Sequence, residues 1–193
     1  MQEIGHWVMN EACRQLQTWK HEYPKIDLQL NVNVSGHELK YSGFLAQVEM
    51  VLKSTHFPAN RLLIEVTESI FLHEPEPIVQ ILKRVRELGV RLALDDFGTG
   101  YSSLAYIDRY PIDAIKIDRS FVSRMMSNNQ TLTIVQSILW MGRKLGFEVT
   151  AEGIENPAQL KRLKELRCPS AQGYLLAYPM PPQELVLLLA SQP

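Results

Sequence analysis

Five polar side chains occur near the carboxyl ends of five separate segments, and in each segment apolar and polar residues alternate. Such alternation is typical of β-strands whose two faces meet different environments. The five residues are Asn33, Glu65, Asp95, Lys116 and Glu152, and Asp96 directly follows the third. The four acids face a single lysine, and burying unpaired charge costs several kcal/mol per ion. Carboxylates with an amide oxygen are ligands that suit Mg²⁺ or Mn²⁺, so the sequence predicts a divalent-metal site.

The adjacent acids Asp95 and Asp96 need a local change of direction if both are to reach this site. Strict strand alternation points them to opposite faces. The glycines at 98 and 100 permit a sharp turn, which we expect to bring Asp96 back to the rim. Two adjacent acids can then each hold one of two metal ions roughly 3.5–4 Å apart, the arrangement used for in-line phosphoryl displacement.

The elements that position these residues alternate between strand-like and helix-like periods. Strand-like segments cover residues 28–34, 62–66, 90–94, 114–117, 148–151, 170–173 and 174–177. Helix-like segments cover residues 3–19, 43–54, 77–88, 129–145, 157–166 and 182–190. This alternation predicts a parallel sheet, either open and doubly wound or closed as a (β/α)₈ barrel.

Seven strand-like segments favour the barrel, in which the apolar strand faces meet the outer helices and the polar faces point inward. Active sites of such barrels lie at the carboxyl ends of the strands. A barrel typically needs about 250 residues, although about 200 can suffice. The chain has 193 residues and opens on a helix. We therefore predict an α/β fold, a TIM-like (β/α) barrel lacking its first strand, as one domain over residues 1–193.

The composition limits the classes of partner. The formal net charge is −1, so no overall basic field would recruit duplex nucleic acid. The two cysteines, Cys13 and Cys168, have no metal-type spacing and are read as buried, reduced thiols. No apolar run reaches the length of a membrane span, and no signal pattern follows Met1. We expect a cytoplasmic protein, or the cytoplasmic domain of a larger sensor, without membrane contact of its own.

Six segments in order resemble the successive motifs of the EAL domain: "NVNVSG", "IEVTES", "DDFGTGYSS", "IKIDRSFV", "TAEGIE" and "AQGY". The similarity runs from about residue 5 to the C-terminus. EAL domains are bacterial phosphodiesterases that cleave cyclic di-GMP to linear pGpG. The resemblance implies that Asn33, Glu65 and Asp95 are ligands of one metal ion and that Asp96 is a ligand of a second.

The resemblance also implies roles for four further residues. Lys116 matches the lysine that holds the attacking water and the phosphate, and Glu152 matches the general base or second-metal ligand. Gln172 matches a glutamine that lines the same site. Glu68 matches a glutamate that steadies the "DFGTGYSS" loop, which in this family couples metal binding to dimerisation. A homodimer is therefore expected.

One departure from the family pattern leaves a second function open. The Glu-Ala-Leu triplet is missing from the sequence, and the similar "EAC" at 11–13 lies inside the first predicted helix. The expected metal-ligand glutamate, a nearby arginine and the first strand are missing with it, which predicts an EAL domain shortened at its N-terminus. The alternative is an inactive EAL-type module that binds cyclic di-GMP or a protein partner.

A third class, a dinucleotide-dependent oxidoreductase, fits poorly. "GTGYSS" imitates the start of a Gly-x-Gly-x-x-Gly motif, and Asp118 follows at the spacing of a ribose-binding acid. However, Ser103 stands in place of the third glycine. Asp95 and Asp96 would also repel a pyrophosphate at this position.

Overall fold

The computed structural model describes residues 2–25, 27–71, 75–99, 107 and 109–190. The chain divides into two compact units, one of Met1–Glu65, Glu76–Arg91 and Pro179–Pro193 and the other of Val66–Pro75 and Leu92–Tyr178. The loop residues 100–103 of "DDFGTGYSS", including the predicted glycine turn at 100, lie outside the described residues. The prediction of one domain over 1–193 stays a prediction.

The described helices and strands alternate along the chain. The helices are α1 (Gln2–Glu22), α2 (Gly36–Leu39), α3 (Phe44–Thr55), α4 (Pro75–Glu87), α5 (Arg119–Arg124), α6 (Asn129–Leu145), α7 (Pro157–Glu165) and α8 (Pro182–Ala190). The strands are β1 (Leu30–Asn33), β2 (Leu62–Thr67), β3 (Arg91–Phe97), β4 (Ala114–Ile117), β5 (Glu148–Ala151) and β6 (Ser170–Ala171). Among these described helices, none combines the length and the apolar character that crossing a bilayer requires.

In the first unit, β1 and β2 form a parallel pair in which Leu30 is opposite Leu62 and Asn33 is opposite Glu65. Helices α1 and α3 contact each other, and α1 also contacts β1. Val48 of α3 is fully buried, as is Cys13 of α1, where burial raises the pKa of the thiol to about 12. Cys13 is therefore buried as predicted, whereas Cys168 is only partly buried, so the prediction of two buried thiols was wrong for Cys168.

In the second unit, β3, β4, β5 and β6 pair in parallel in that order. Helix α6 contacts both β4 and β5. Its ends coincide with the predicted range because both caps are visible in the sequence. Asn128 accepts a hydrogen bond from the backbone of Thr131 at 3.0 Å, and Gly146 ends the helix at a φ of 80°.

The prediction of a seventh strand over residues 174–177 was wrong. This apolar run forms a turn in which the amide of Leu176 donates to the carbonyl of Gly173 at 2.9 Å. Tyr174 and Leu176 are 56% and 50% exposed, so the run does not enter a buried sheet. Hydrophobicity alone could not separate this turn from a short strand.

Two short helices, α2 and α5, were missed because each is too short to show a helical period. Both begin at residues that cap helices. Ser35 and Glu38 form a capping box at α2, and the side chain of Asp118 accepts from the backbone of Ser120 at the start of α5. These caps are the sequence signals that could have revealed them.

Candidate active site

A bulge at the end of β3 brings two adjacent carboxylates to the same site. Leu94 is opposite Ile115 of β4, but the register shifts before Phe97. Within this shift Asp96 has a φ of 55°, in the left-handed region. Asp96 therefore joins Asp95 as predicted, although the change of direction begins at Asp96 itself rather than at Gly98.

Asp95, Asp96 and Glu152 form an acidic cluster in the second unit. Each offers a carboxylate oxygen, and these three atoms lie within 4.8 Å of one another. Glu152 directly follows β5, and its backbone amide donates to the carbonyl of Ile117 at 3.1 Å. The cluster is thus built at the carboxyl ends of β3 and β5, where the sequence placed it.

Lys116 supplies the positive charge inside the acidic cluster. Its side chain is only 6% exposed, and its Nζ lies 2.6 Å from Oε1 of Glu152 and 3.4 Å from Oδ1 of Asp95. One ammonium offsets one of the three carboxylates, which leaves a net charge of about −2 if all three are ionised. The site retains the capacity to attract a divalent cation.

The raised pKa of Asp96 also favours binding of a cation at this cluster. Burial is the main cause that raises the pKa of this carboxyl, and the negative charges of Asp95 and Asp118 raise it further. Lys116 and Arg119 oppose these effects without overcoming them. Ionised Asp96 is therefore held in an unfavourable position that a bound cation would relieve.

Glu68 connects the end of β2 to the segment after β3. It lies in a 3₁₀ turn at Glu68–Phe71 and is 7% exposed. Its Oε2 accepts a hydrogen bond from the backbone amide of Gly98 at 3.2 Å, while its Oε1 has no partner among the described residues. This contact is what the predicted loop-steadying role requires of Glu68, and the role itself stays a prediction.

Gln172 lies beside the loop that carries Glu152. Its amide donates to the carbonyl of Ala151 at 2.8 Å, and its carbonyl accepts from the amide of Ile154 at 3.1 Å. The next residue, Gly173, passes so close that an added Cβ would lie 2.2 Å from the nitrogen of Ile154. Gln172 is exposed, and its predicted contact with substrate stays a prediction.

In the first unit, Asn33 and Glu65 occupy opposing positions on β1 and β2. Glu65 is 2% exposed, and its Oε1 accepts a hydrogen bond at 2.8 Å from Nδ2 of Asn31, not of Asn33. The Oδ1 of Asn31 accepts a hydrogen bond from Nε2 of Gln29 at 3.0 Å. The Oε1 of Gln29 in turn accepts one from the guanidinium of Arg91 at 2.7 Å. The predicted roles of Asn33 and Glu65 as metal ligands stay predictions.

Sequence reasoning missed three polar residues around these positions. Asn31 lies on the predicted inward face of its strand but was not singled out. The alternation of apolar and polar residues predicts the face on which a side chain lies, but it does not predict the hydrogen-bond partner of that side chain. Asp118 and Arg119 follow β4 and act on Asp96 electrostatically. Their position in the sequence, directly after a strand that carries a site residue, is the signal that could have identified them.

Comparisons with known proteins identify the family of this chain. The family model described as the EAL domain matches residues 1–179, and the chain belongs to this family. The chain is 37% identical over 188 residues to the bifunctional diguanylate cyclase/cyclic di-GMP phosphodiesterase MucR of Pseudomonas aeruginosa, a match that covers 97% of this chain and 27% of MucR.

Two solved structures are also similar. The PaMucR phosphodiesterase in complex with c-di-GMP matches with a TM-score of 0.90 and 38% identity, covering 95% of this chain and 74% of that one. The Klebsiella pneumoniae BlrP1 manganese/c-di-GMP complex matches with a TM-score of 0.80 and 27% identity, covering 90% of this chain and 44% of that one. These matches confirm the predicted α/β, TIM-like (β/α) fold class. The chain spans about a quarter of the length of the curated relatives that it matches.

Proposed function

We propose that this chain hydrolyses cyclic di-GMP to linear pGpG with the help of Mg²⁺ or Mn²⁺. The observation that carries the proposal is the acidic cluster of Asp95, Asp96 and Glu152 around buried Lys116. Membership of the EAL domain family and the names of the similar phosphodiesterases support the choice of substrate.

The residues present fit a divalent cation. Three carboxylate oxygens converge within 4.8 Å, their charge exceeds that of Lys116, and burial raises the pKa of Asp96. Hard oxygen ligands of this kind are those that Mg²⁺ and Mn²⁺ prefer. Asp95 and Asp96 would hold the cations, with Asn33 and Glu65 as the further ligands that the family resemblance implies.

Bound divalent cations would supply Lewis-acid chemistry, which lowers the pKa of water and neutralises charge on a phosphate. Glu152 would accept the proton of the attacking water as a general base. Lys116, held between Glu152 and Asp95, would position the water against phosphorus. Attack would form a new P–O bond and break the bond to the 3′ oxygen, and this oxygen would leave as a hydroxyl by taking up the proton that Glu152 had accepted, which opens the ring.

Two further residues would contact the substrate and support a homodimer. Gln172 would contact the substrate from the segment beside Glu152. Glu68 would hold the backbone at Gly98 and so steady the following loop, through which two copies of the chain would form a homodimer.

The test is hydrolysis of cyclic di-GMP by the purified chain, followed by chromatography of the products. We expect pGpG to form with Mg²⁺ or Mn²⁺ and not with a chelator. Glu152→Gln should lower kcat by about 10²–10⁴-fold, the usual contribution of a general base. Glu155→Gln is a matched control, because Glu155 is exposed and lies on the same loop outside the cluster.

Unchanged turnover in Glu152→Gln would refute the role of this residue. The alternative function is a binding module without catalysis. Saturable binding of cyclic di-GMP by the wild-type chain with no product at saturating Mg²⁺ and Mn²⁺ would establish that alternative and contradict the proposed hydrolysis.

A further inference from the structure

Cyclic di-GMP carries two phosphodiester groups, and each has one negative charge. A cation held by the acidic cluster can neutralise the phosphate that reacts, but the other phosphate remains close to a site with excess negative charge. Lys116 cannot also bind this second phosphate, because Lys116 is buried and its ammonium already contacts Glu152 and Asp95. The second phosphate therefore needs a separate positive group near the cluster.

Arg119 lies at the same end of the strands as the cluster. It is the first residue of α5 and follows β4 by two positions. Its Cβ would be 2.3 Å from a Cβ built on Gly153, the residue after Glu152, so the two backbones pack closely. In the described part of the chain, Arg119 is the only lysine or arginine within two residues beyond the end of any strand.

The guanidinium of Arg119 keeps its donors available. The side chain is exposed, and it has no hydrogen bond or ion pair with any residue that the structure describes. Arg124, at the other end of the same helix, instead donates from its Nε to the carbonyl of Ser120 at 2.9 Å. A guanidinium presents five N–H donors in a planar fork that matches two oxygens of a phosphate.

We propose that Arg119 binds the phosphate of the cyclic dinucleotide that is not being hydrolysed, through paired hydrogen bonds from its guanidinium. The proposal rests on the proposed function and adds a substrate-binding residue to it. Its physical basis is the exposed guanidinium of a residue whose backbone and Cβ pack against Gly153, one residue from the proposed general base, and whose charge acts on Asp96.

The test compares the affinity of three variants for cyclic di-GMP by isothermal titration calorimetry, with Ca²⁺ as the divalent ion. Hydrogen bonds to a charged group contribute about 1.5–3 kcal/mol, so Arg119→Gln should weaken binding by roughly tenfold to a hundredfold. Arg119→Lys keeps the charge without the fork and should retain an intermediate affinity. Arg143→Gln, which removes an exposed arginine from α6, is the matched control and should bind like the wild-type chain.

A second readout separates ligand contact from a structural effect. If Arg119 meets a phosphate, the affinity of Arg119→Gln should fall less steeply with added salt than that of the wild-type chain, because one charge pair is gone. Equal affinities and equal salt dependence for Arg119→Gln and wild type would overturn this inference alone. Failure of the wild-type chain to bind cyclic di-GMP would overturn the proposed function, and this inference with it.

Discussion

Asp96 combines two unfavourable features at one residue. Its φ of 55° is uncommon for a residue with a side chain, although aspartate tolerates it better than most. Its charge is also disfavoured by burial and by the neighbouring Asp95. Such local strain is concentrated at functional sites, where the surrounding structure maintains it. Here the strain places two carboxylates side by side, which a regular strand cannot do.

Asp96→Asn should therefore stabilise the metal-free protein near neutral pH. Asparagine keeps the left-handed backbone but removes the disfavoured charge, so we expect the free energy of unfolding to rise by about 1 kcal/mol. The pKa of Asp96 is raised in the folded state, so ionisation of Asp96 destabilises the fold. This destabilisation is complete when the pH is above the raised pKa of the folded state, and it is absent when the pH is below the unfolded pKa of about 3.9.

The stabilising effect of Asp96→Asn should accordingly shrink as the pH falls toward the ordinary aspartate range. Urea unfolding in the presence of a chelator, at several pH values, measures it. A variant that is less stable than the wild-type chain near neutral pH would contradict this account of Asp96.

At this scale the sequence predicted the acids and the lysine but not their partners. Alternation assigned Asp95, Lys116 and Glu152 to one strand face, and the structure places them in direct contact. The pairing of Glu65 with Asn31 and the position of Arg119 depend on side-chain conformations and on the packing of loops. Neither leaves a periodic signal along the chain.

At the scale of elements, one glycine controls how closely α6 approaches β5. A Cβ added at Gly142 would lie 2.3 Å from Cγ2 of Val149, which is a buried and stiff side chain. The sequence predicted a helix over residues 129–145, but it did not show that one position of this helix must lack a side chain. The same limit explains the mistaken strand at 174–177, since close packing and turns are set by neighbours distant in sequence.

Gly142→Ala should destabilise the chain even though alanine favours helices. The gain in helix propensity is about 1 kcal/mol, whereas overpacking a close contact typically costs 1–3 kcal/mol, so we expect a net loss of about 1 kcal/mol. Chemical unfolding measures the difference. Ser137→Ala, on an exposed position of the same helix, is the control and should change stability by less than about 0.5 kcal/mol. A Gly142→Ala protein as stable as this control would contradict the packing argument.

For the whole molecule, family membership and the geometry of the acidic cluster support the same proposed function by separate routes. The EAL domain match covers residues 1–179, and the structure places an acidic cluster at strand ends, where barrel enzymes have their active sites. The fold class was accessible from the sequence because strand–helix alternation extends along the chain. Both routes require that the carboxylates hold divalent cations.

The most direct test of that requirement is calorimetric titration of Mn²⁺ into the wild-type chain and into an Asp95→Asn/Asp96→Asn variant. We predict saturable binding to the wild-type chain, with a gain in unfolding free energy of about 2.7 kcal/mol at about 100 times the Kd. The double variant should lose this binding while remaining folded. No saturable binding by the wild-type chain, or equal binding by both proteins, would contradict the account.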